Sequence, residues 1–188
     1  MADRGGRRFS QAISEGDGIS VIVEVDGAEA ARSAEADGAE GIAVAREAAG
    51  LREATELPIL WARGSIEEAA QGGADACLVD VSQLDSGDTE WVVRASGVGL
   101  DCVVCVRNED ELERALEVLD PEIFLLAGSD LEHSLELLTD VPAGKLAIVR
   151  ANGLTREEVL ELERRGMDAV IVPPQNVAEL VGDAPPPV

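Results

Sequence analysis

At 188 residues and 46% hydrophobic content the chain is long enough for one domain with a sizeable core, which excludes a disordered protein. Its 38 acidic residues against 15 basic ones give a formal net charge of -23, which repels nucleic acid and anionic membrane and leaves any anionic ligand dependent on a strong local site. Every basic residue except Lys145 is arginine, a bias that a GC-rich genome or a salt-adapted surface produces as readily as function does. No apolar run approaches the ~20 residues of a membrane span, and the basic start, residues 1–8, leads into no signal-like apolar segment. A cytoplasmic protein is expected, with neither nucleic acid nor membrane as partner.

In chain order, a short amphipathic lead (residues 9–15) and a Gly16-Asp17-Gly18 turn precede a first strand at 19–25. A helix over 28–37 follows, stopped by Gly38. The second strand is 41–45, with a short helix near 47–55; the third is 58–62, and Ser65 with Glu68 forms a capping box opening a helix over 66–71. The fourth strand, 76–81, leads to a helix near 89–95 carrying Trp91. The fifth, 102–106, leads to a helix over 109–118 whose Leu112 and Leu116, with Leu119 beyond its end, share one face. A sixth strand (123–126) and helix (131–138) follow, then a seventh strand (146–149) reaching Asn152-Gly153, after which Thr155 caps a helix to Arg165, with Glu158 completing a second box. The eighth strand, 169–172, ends in Pro173-Pro174 before a last helix near 177–181. The proline-rich tail, 183–188, is expected to be disordered, so residues 1–182 constitute the domain.

Alternating strands and helices with nearly continuous apolar strands predict a buried parallel sheet, open or closed. Eight units spaced by roughly 23 residues favour the closed form, a compact α/β (β/α)8 TIM barrel with shortened loops and helices. The chain contains neither G-x-G-x-x-G after the first strand nor G-x-x-x-x-G-K, so dinucleotide and P-loop readings have no residues to stand on. Cys102 and Cys105 form a C-x-x-C only on paper, because strand residues three apart point to opposite faces. No metal site and no cofactor are expected.

The order Phe9-x-x-Ala12-Ile13, Gly16-Asp17-Gly18, Val21-Ile22-x-Glu24 and Gly38-Ala39 resembles the opening of indole-3-glycerol phosphate synthase, the tryptophan-pathway lyase. The likeness continues through Leu57-Pro58-Ile59-Leu60, Gly73-Ala74-Asp75-Ala76, Asn108-Glu109-Asp110-Glu111-Leu112, Ser129-Asp130-Leu131-Glu132 and Asn152-Gly153-Leu154. The resemblance implies a general-acid lysine at the end of strand three. It also implies a second lysine after strand one, a glutamate on strand five, and asparagine and glutamate on strands six and seven. Those positions fall on Ala62, Asp26, Cys105, Ala127 and Ala151. Glu24, and Glu47 after strand two, resemble retained active-site carboxylates.

Alanine carries no titratable proton, so acid-base catalysis worth ~10²–10⁴ per group is expected to be gone. Asn152-Gly153 keeps half of a phosphate cradle, whereas Pro173-Pro174 supply no N–H donors. The loops after strands one and two, Asp26-Gly27 and residues 46–50, are short for the family. Lys145 precedes strand seven, at the end of a barrel where chemistry does not occur.

Two functional readings follow. In the first, the chain is a degenerate, non-catalytic relative of the synthase, kept as an interaction or regulatory subunit and joined to a protein partner or a second copy through apolar surface that short helices leave uncovered. In the second, it is a diverged lyase or isomerase acting on a small ligand at the carboxyl-end mouth, with Glu24, Glu47, Asp80 and Cys105 as candidate catalytic groups. Asn152, Gly153 and Arg107 are the candidate ligand-binding residues. Asp26 and Asp130, with the carboxylates just named, are weighed as a cation or amine site. Cys105 as a nucleophile needs an adjacent base, and the single histidine, His133, falls on the sixth helix.

Overall fold

The computed structural model describes residues 8–16, 18–45, 49–83 and 90–182. Eight parallel strands close on themselves in sequence order: β1 (Ser20–Val25), β2 (Gly41–Val44), β3 (Ile59–Trp61), β4 (Ala76–Asp80), β5 (Asp101–Val106), β6 (Ile123–Leu126), β7 (Leu146–Arg150) and β8 (Ala169–Val172). The ring closes where Ser20 to Val23 of β1 pair with Ala169 to Val172 of β8. The expected eightfold TIM barrel is therefore the observed one.

A helix, α1 (Arg8–Ser14), precedes the barrel, and eight more follow the successive strands: α2 (Ala28–Ala36), α3 (Leu51–Ala54), α4 (Ile66–Gln71), α5 (Trp91–Gly97), α6 (Glu109–Val118), α7 (Leu131–Leu138), α8 (Arg156–Arg165) and α9 (Val177–Val181). Both expected capping boxes form: Ser65 and Thr155 accept from the backbone N–H of Glu68 and Glu158, whose carboxylates reach back to the cap N–H groups. Asn108 and Asp130 cap α6 and α7 in the same sense. Each satisfies a backbone donor that has no partner within the helix, worth about 1 kcal/mol. These four caps stand just beyond β3, β5, β6 and β7, where they fix the rim from which a site can be built.

Strand alternation divides the core in two. Ile22, Ala43, Leu60, Val103, Cys105, Leu125, Ile148 and Ile171 point into the barrel, while Val21, Val23, Ile42, Ile59, Val104, Phe124, Val149 and Val170 pack outward. Cys105 lies in the inner set and Cys102 in the outer, as the period of two requires. Cys102 instead faces Cys77, its register partner on β4.

The amphipathic lead is a plug. Phe9 and Ile13 of α1 belong to the inner cluster and are buried, and the Ser10 N–H donates to Oδ2 of Asp101, the first residue of β5, at 2.7 Å. Asp101 stands at the amino end of its strand, so α1 closes that end of the barrel.

The same end carries a repeated device. Glu40, Asp75 and Asp168 each stand immediately before a strand and accept the backbone N–H of a residue at the start of the preceding one: Val21 at 3.3 Å, Ile59 at 2.9 Å and Ala147 at 2.7 Å. Asp75 also pairs with Arg52 at 3.0 Å. The carboxylates complete strand starts that the sheet leaves unsatisfied, and they hold neighbouring strands in register. Lys145 belongs to this end, bound to Asp120 at 2.6 Å.

Several boundaries differ from expectation. β7 runs on to Arg150, one residue past the apolar run, because its ladder with β8 continues to the Arg150–Ile171 pair. β4 ends at Asp80, and Val81 begins a 3₁₀ turn. Of the short helix near 47–55 the described residues hold α3, and the one near 89–95 begins at Trp91; residues 46–48, Thr89, Asp17 and the tail 183–188 lie outside the described residues. Among the described residues the exposed large apolar side chains are Val93 and Val98, in and just after α5, and Val118 at the end of α6.

Candidate ligand site at the carboxyl end of the barrel

At the carboxyl ends of the strands the inner positions turn polar, and a cleft of about 650 Å³ opens over the inner cluster. Its floor is Leu78, Cys105, Leu125 and Ala127; its rim includes Arg63, Asp80, Arg107, Ser129, Arg150 and Asn152, with Trp91 at the side. The volume falls within the ~300–1,000 Å³ of small-molecule sites. A smaller hollow of about 250 Å³ lies over β1 and β2, lined by Glu24, Asp26, Ala43, Ala45, Ala62 and Pro174.

Two ion pairs cross this end. Arg107 lies one residue beyond β5 and grips Asp80 at the end of β4 with both terminal nitrogens, one of them 2.7 Å from Oδ1. Ser82 donates to the same Oδ1 through N–H and hydroxyl, and Glu111 stands 3.6 Å from Arg107. The guanidinium and then the Ser82 donors hold the Asp80 carboxyl down to about 2, so it is ionised and acceptor-only near neutrality. Arg107, by the same contact, is pushed further from deprotonation. The second pair joins Arg150 on β7 to Glu24 on β1, with Nε 2.9 Å from Oε1. Arg150 lines the larger cleft and Glu24 the smaller, so the pair stands between them.

The candidates named from sequence meet different fates. Glu24, Asp80, Cys105, Arg107 and Asn152 all stand at the carboxyl end. Glu47 lies outside the described residues, and Gly153 follows Asn152 with φ 67° in the left-handed region. Asp130 spends its carboxylate on capping, accepting from the His133 N–H at 2.9 Å. His133 in turn places Nδ1 3.3 Å from the hydroxyl of Ser129. Cys105 is only 6% exposed, and burial pushes its thiol up, away from the thiolate that nucleophilic work needs. Among the described residues no group of three His, Cys, Asp or Glu side chains is placed to hold a metal ion.

Of the positions carried over by resemblance, Ala62 lines both hollows and Ala127 belongs to the inner set. Ala151 instead packs against the outer cluster, because parity along β7 sends Ile148, Arg150 and Asn152 inward and Val149 and Ala151 outward. Arg150 and Arg63 are the site residues that sequence reasoning missed. The signal for Arg150 was its parity with Ile148, hidden because the apolar run stops at Val149. Arg63 read as turn punctuation ahead of the Ser65 cap.

The fold and this rim define the chain as a TIM barrel with an open carboxyl-end cleft. No protein-family model matches the chain. It is 30% identical over 135 residues to an indole-3-glycerol phosphate synthase of Geobacillus sp. (strain WCH70), a match covering 65% of this chain and 52% of the relative. The chain thus spans about half the length of that curated relative. Two solved structures share the fold. The N-acetylmannosamine-6-phosphate 2-epimerase from Clostridium perfringens has a TM-score of 0.66 at 16% identity, over 82% of this chain and 86% of the epimerase. A cube-shaped, highly porous protein cage designed by fusing symmetric oligomeric domains has a TM-score of 0.65 at 13% identity, over 87% of this chain and 71% of the cage chain. No helix among the described residues is long and apolar enough to cross a membrane.

Proposed function

We propose that this chain is a non-catalytic relative of indole-3-glycerol phosphate synthase, a barrel that holds a small ligand at its carboxyl-end cleft without performing the parent reaction. The observation that carries this reading is the chemistry of the cleft: among its described lining residues there is neither lysine nor histidine. Ring closure and dehydration of an anilino sugar phosphate need groups that give and take protons near neutral pH. Here Ala62 and Ala127 have none, Asp80 is committed as a carboxylate, Arg63, Arg107 and Arg150 are permanently protonated, and the Cys105 thiol is suppressed by burial. On the phosphate side Asn152-Gly153 remain after β7, but Pro173 and Pro174 supply no N–H donors after β8.

An open, charged cleft supports ligand binding over a purely structural role. The regulatory form of this reading is a barrel that reports on a bound small molecule. The test is an assay with the anilino-deoxyribulose phosphate substrate of the synthase, following indole fluorescence. No product above buffer controls is expected; turnover at an ordinary enzymatic rate overturns the proposal.

A further inference from the structure

The hydrogen-bond valences of the cleft narrow what it can hold. Asp80 and Arg107 hold one another through both carboxylate oxygens and both terminal nitrogens, and Asp130 is committed to its cap. The contact of Arg150 with Glu24 is made at Nε, no other described residue pairs with Arg150, and no described residue pairs with Arg63. Arg150 is 41% exposed and stands on β7, while Arg63 lies two residues beyond β3. In a closed ring of eight consecutive strands, β3 and β7 are four apart and face one another across the mouth. Both arginines line the same cleft, together with Leu78, Leu125 and Ala127.

We infer that the cleft binds a small organic dicarboxylate, one carboxylate on the Arg150 fork and the other on Arg63, its carbon chain lying over the apolar floor. The guanidinium fork matches a planar carboxylate with two parallel N–H···O bonds, and both ends of the ligand find donors that are otherwise unfilled. A guanidinium fork also takes phosphate, so what favours carboxylate is the lack of N–H donors at Pro173 and Pro174 after β8, where a barrel phosphate would find its remaining partners. A single carboxylate leaves one arginine unserved, so two such guanidinium groups on one cleft favour a ligand with two. The surrounding negative charge of the chain opposes any anion, which makes both arginine contacts necessary.

This inference rests on the cleft being the ligand site, as proposed above, but it is tested apart from turnover. The purified chain is titrated calorimetrically with glutarate, butyrate, glutaramide and inorganic phosphate. Saturable binding of glutarate at millimolar concentration or below is expected, with butyrate weaker, glutaramide silent and phosphate unable to compete. Arg150→Gln and Arg63→Gln should each weaken glutarate by about tenfold or more, because each removes a charge-assisted bidentate contact. Arg150→Lys, which keeps the charge beside Glu24 but lacks the fork, should recover little of the loss. Arg164→Gln, on the outer helix α8, should leave binding unchanged, and thermal unfolding confirms that each variant is folded. Absence of saturable glutarate binding overturns the inference, as do equal affinity for butyrate, competition by phosphate, or indifference to both arginine substitutions. Failure of glutarate to bind leaves the absence of synthase turnover standing, whereas turnover would sink that proposal without touching the titration.

Discussion

The two ends of this barrel spend charge in opposite ways. At the amino end, Glu40, Asp75, Asp101 and Asp168 all accept backbone N–H groups, Lys145 is paired, and α1 fills the opening with Phe9 and Ile13. At the carboxyl end the charges pair with one another across an open cleft, and two guanidinium groups keep unfilled donors. Polar groups that terminate a fold are consumed by backbone; polar groups that await a ligand are not. With the proposed ligand site, the contrast separates residues whose loss should cost stability from those whose loss should cost binding.

The largest effect should come from the plug. Phe9→Ala removes a fully buried ring and should cost about 3–5 kcal/mol in urea unfolding, the usual range for such a truncation. Fluorescence and circular dichroism should still report one cooperative transition. A smaller effect is expected at Asp168: replacement by alanine strands the Ala147 N–H and should cost about 1–3 kcal/mol, whereas asparagine keeps an acceptor and should cost less. Either result reversed, with Phe9→Ala neutral or glutarate binding lost in Asp168→Ala, would break the division between the ends.

The smallest effects lie in pH dependence and have opposite signs. Burial raises Asp168 above its ordinary 3.8, so the folded chain binds that proton more tightly than the unfolded chain does. Its contribution is present below 3.8 and is lost as pH rises through the raised value. Asp80 is held down to about 2, so its contribution is present above 3.8 and is lost as pH falls toward 2. Urea unfolding across this acid range should show Asp80→Asn flattening the loss of stability on acidification, and Asp168→Asn steepening it. Because Asp80 is partly solvated, the first change should be modest.

Most of the fold was legible in the sequence because barrel strands buried on both faces are short apolar runs, and Ser65 and Thr155 announce their helices chemically. The α1 plug was visible only as an amphipathic lead, since nothing local says that Phe9 turns into the barrel rather than onto its outside. The candidate site was legible in part. Asp80, Cys105 and Arg107 sit at strand ends whose parity could be counted, but the Asp80–Arg107 pair depends on β4 and β5 being neighbours in register. Arg150 was obscured because hydrophobicity marks where a strand is dry, whereas the ladder continues into the wet rim. Ala151 shows the same error from the other side: residue matching set it at the site, and strand parity turns it outward.

The most direct test of the proposal that the barrel is non-catalytic is a single-turnover experiment with the chain in excess over the anilino-deoxyribulose phosphate substrate, at neutral pH. Product formation at the uncatalysed rate is the expected result. A burst of indole-3-glycerol phosphate in step with the amount of protein added would contradict it.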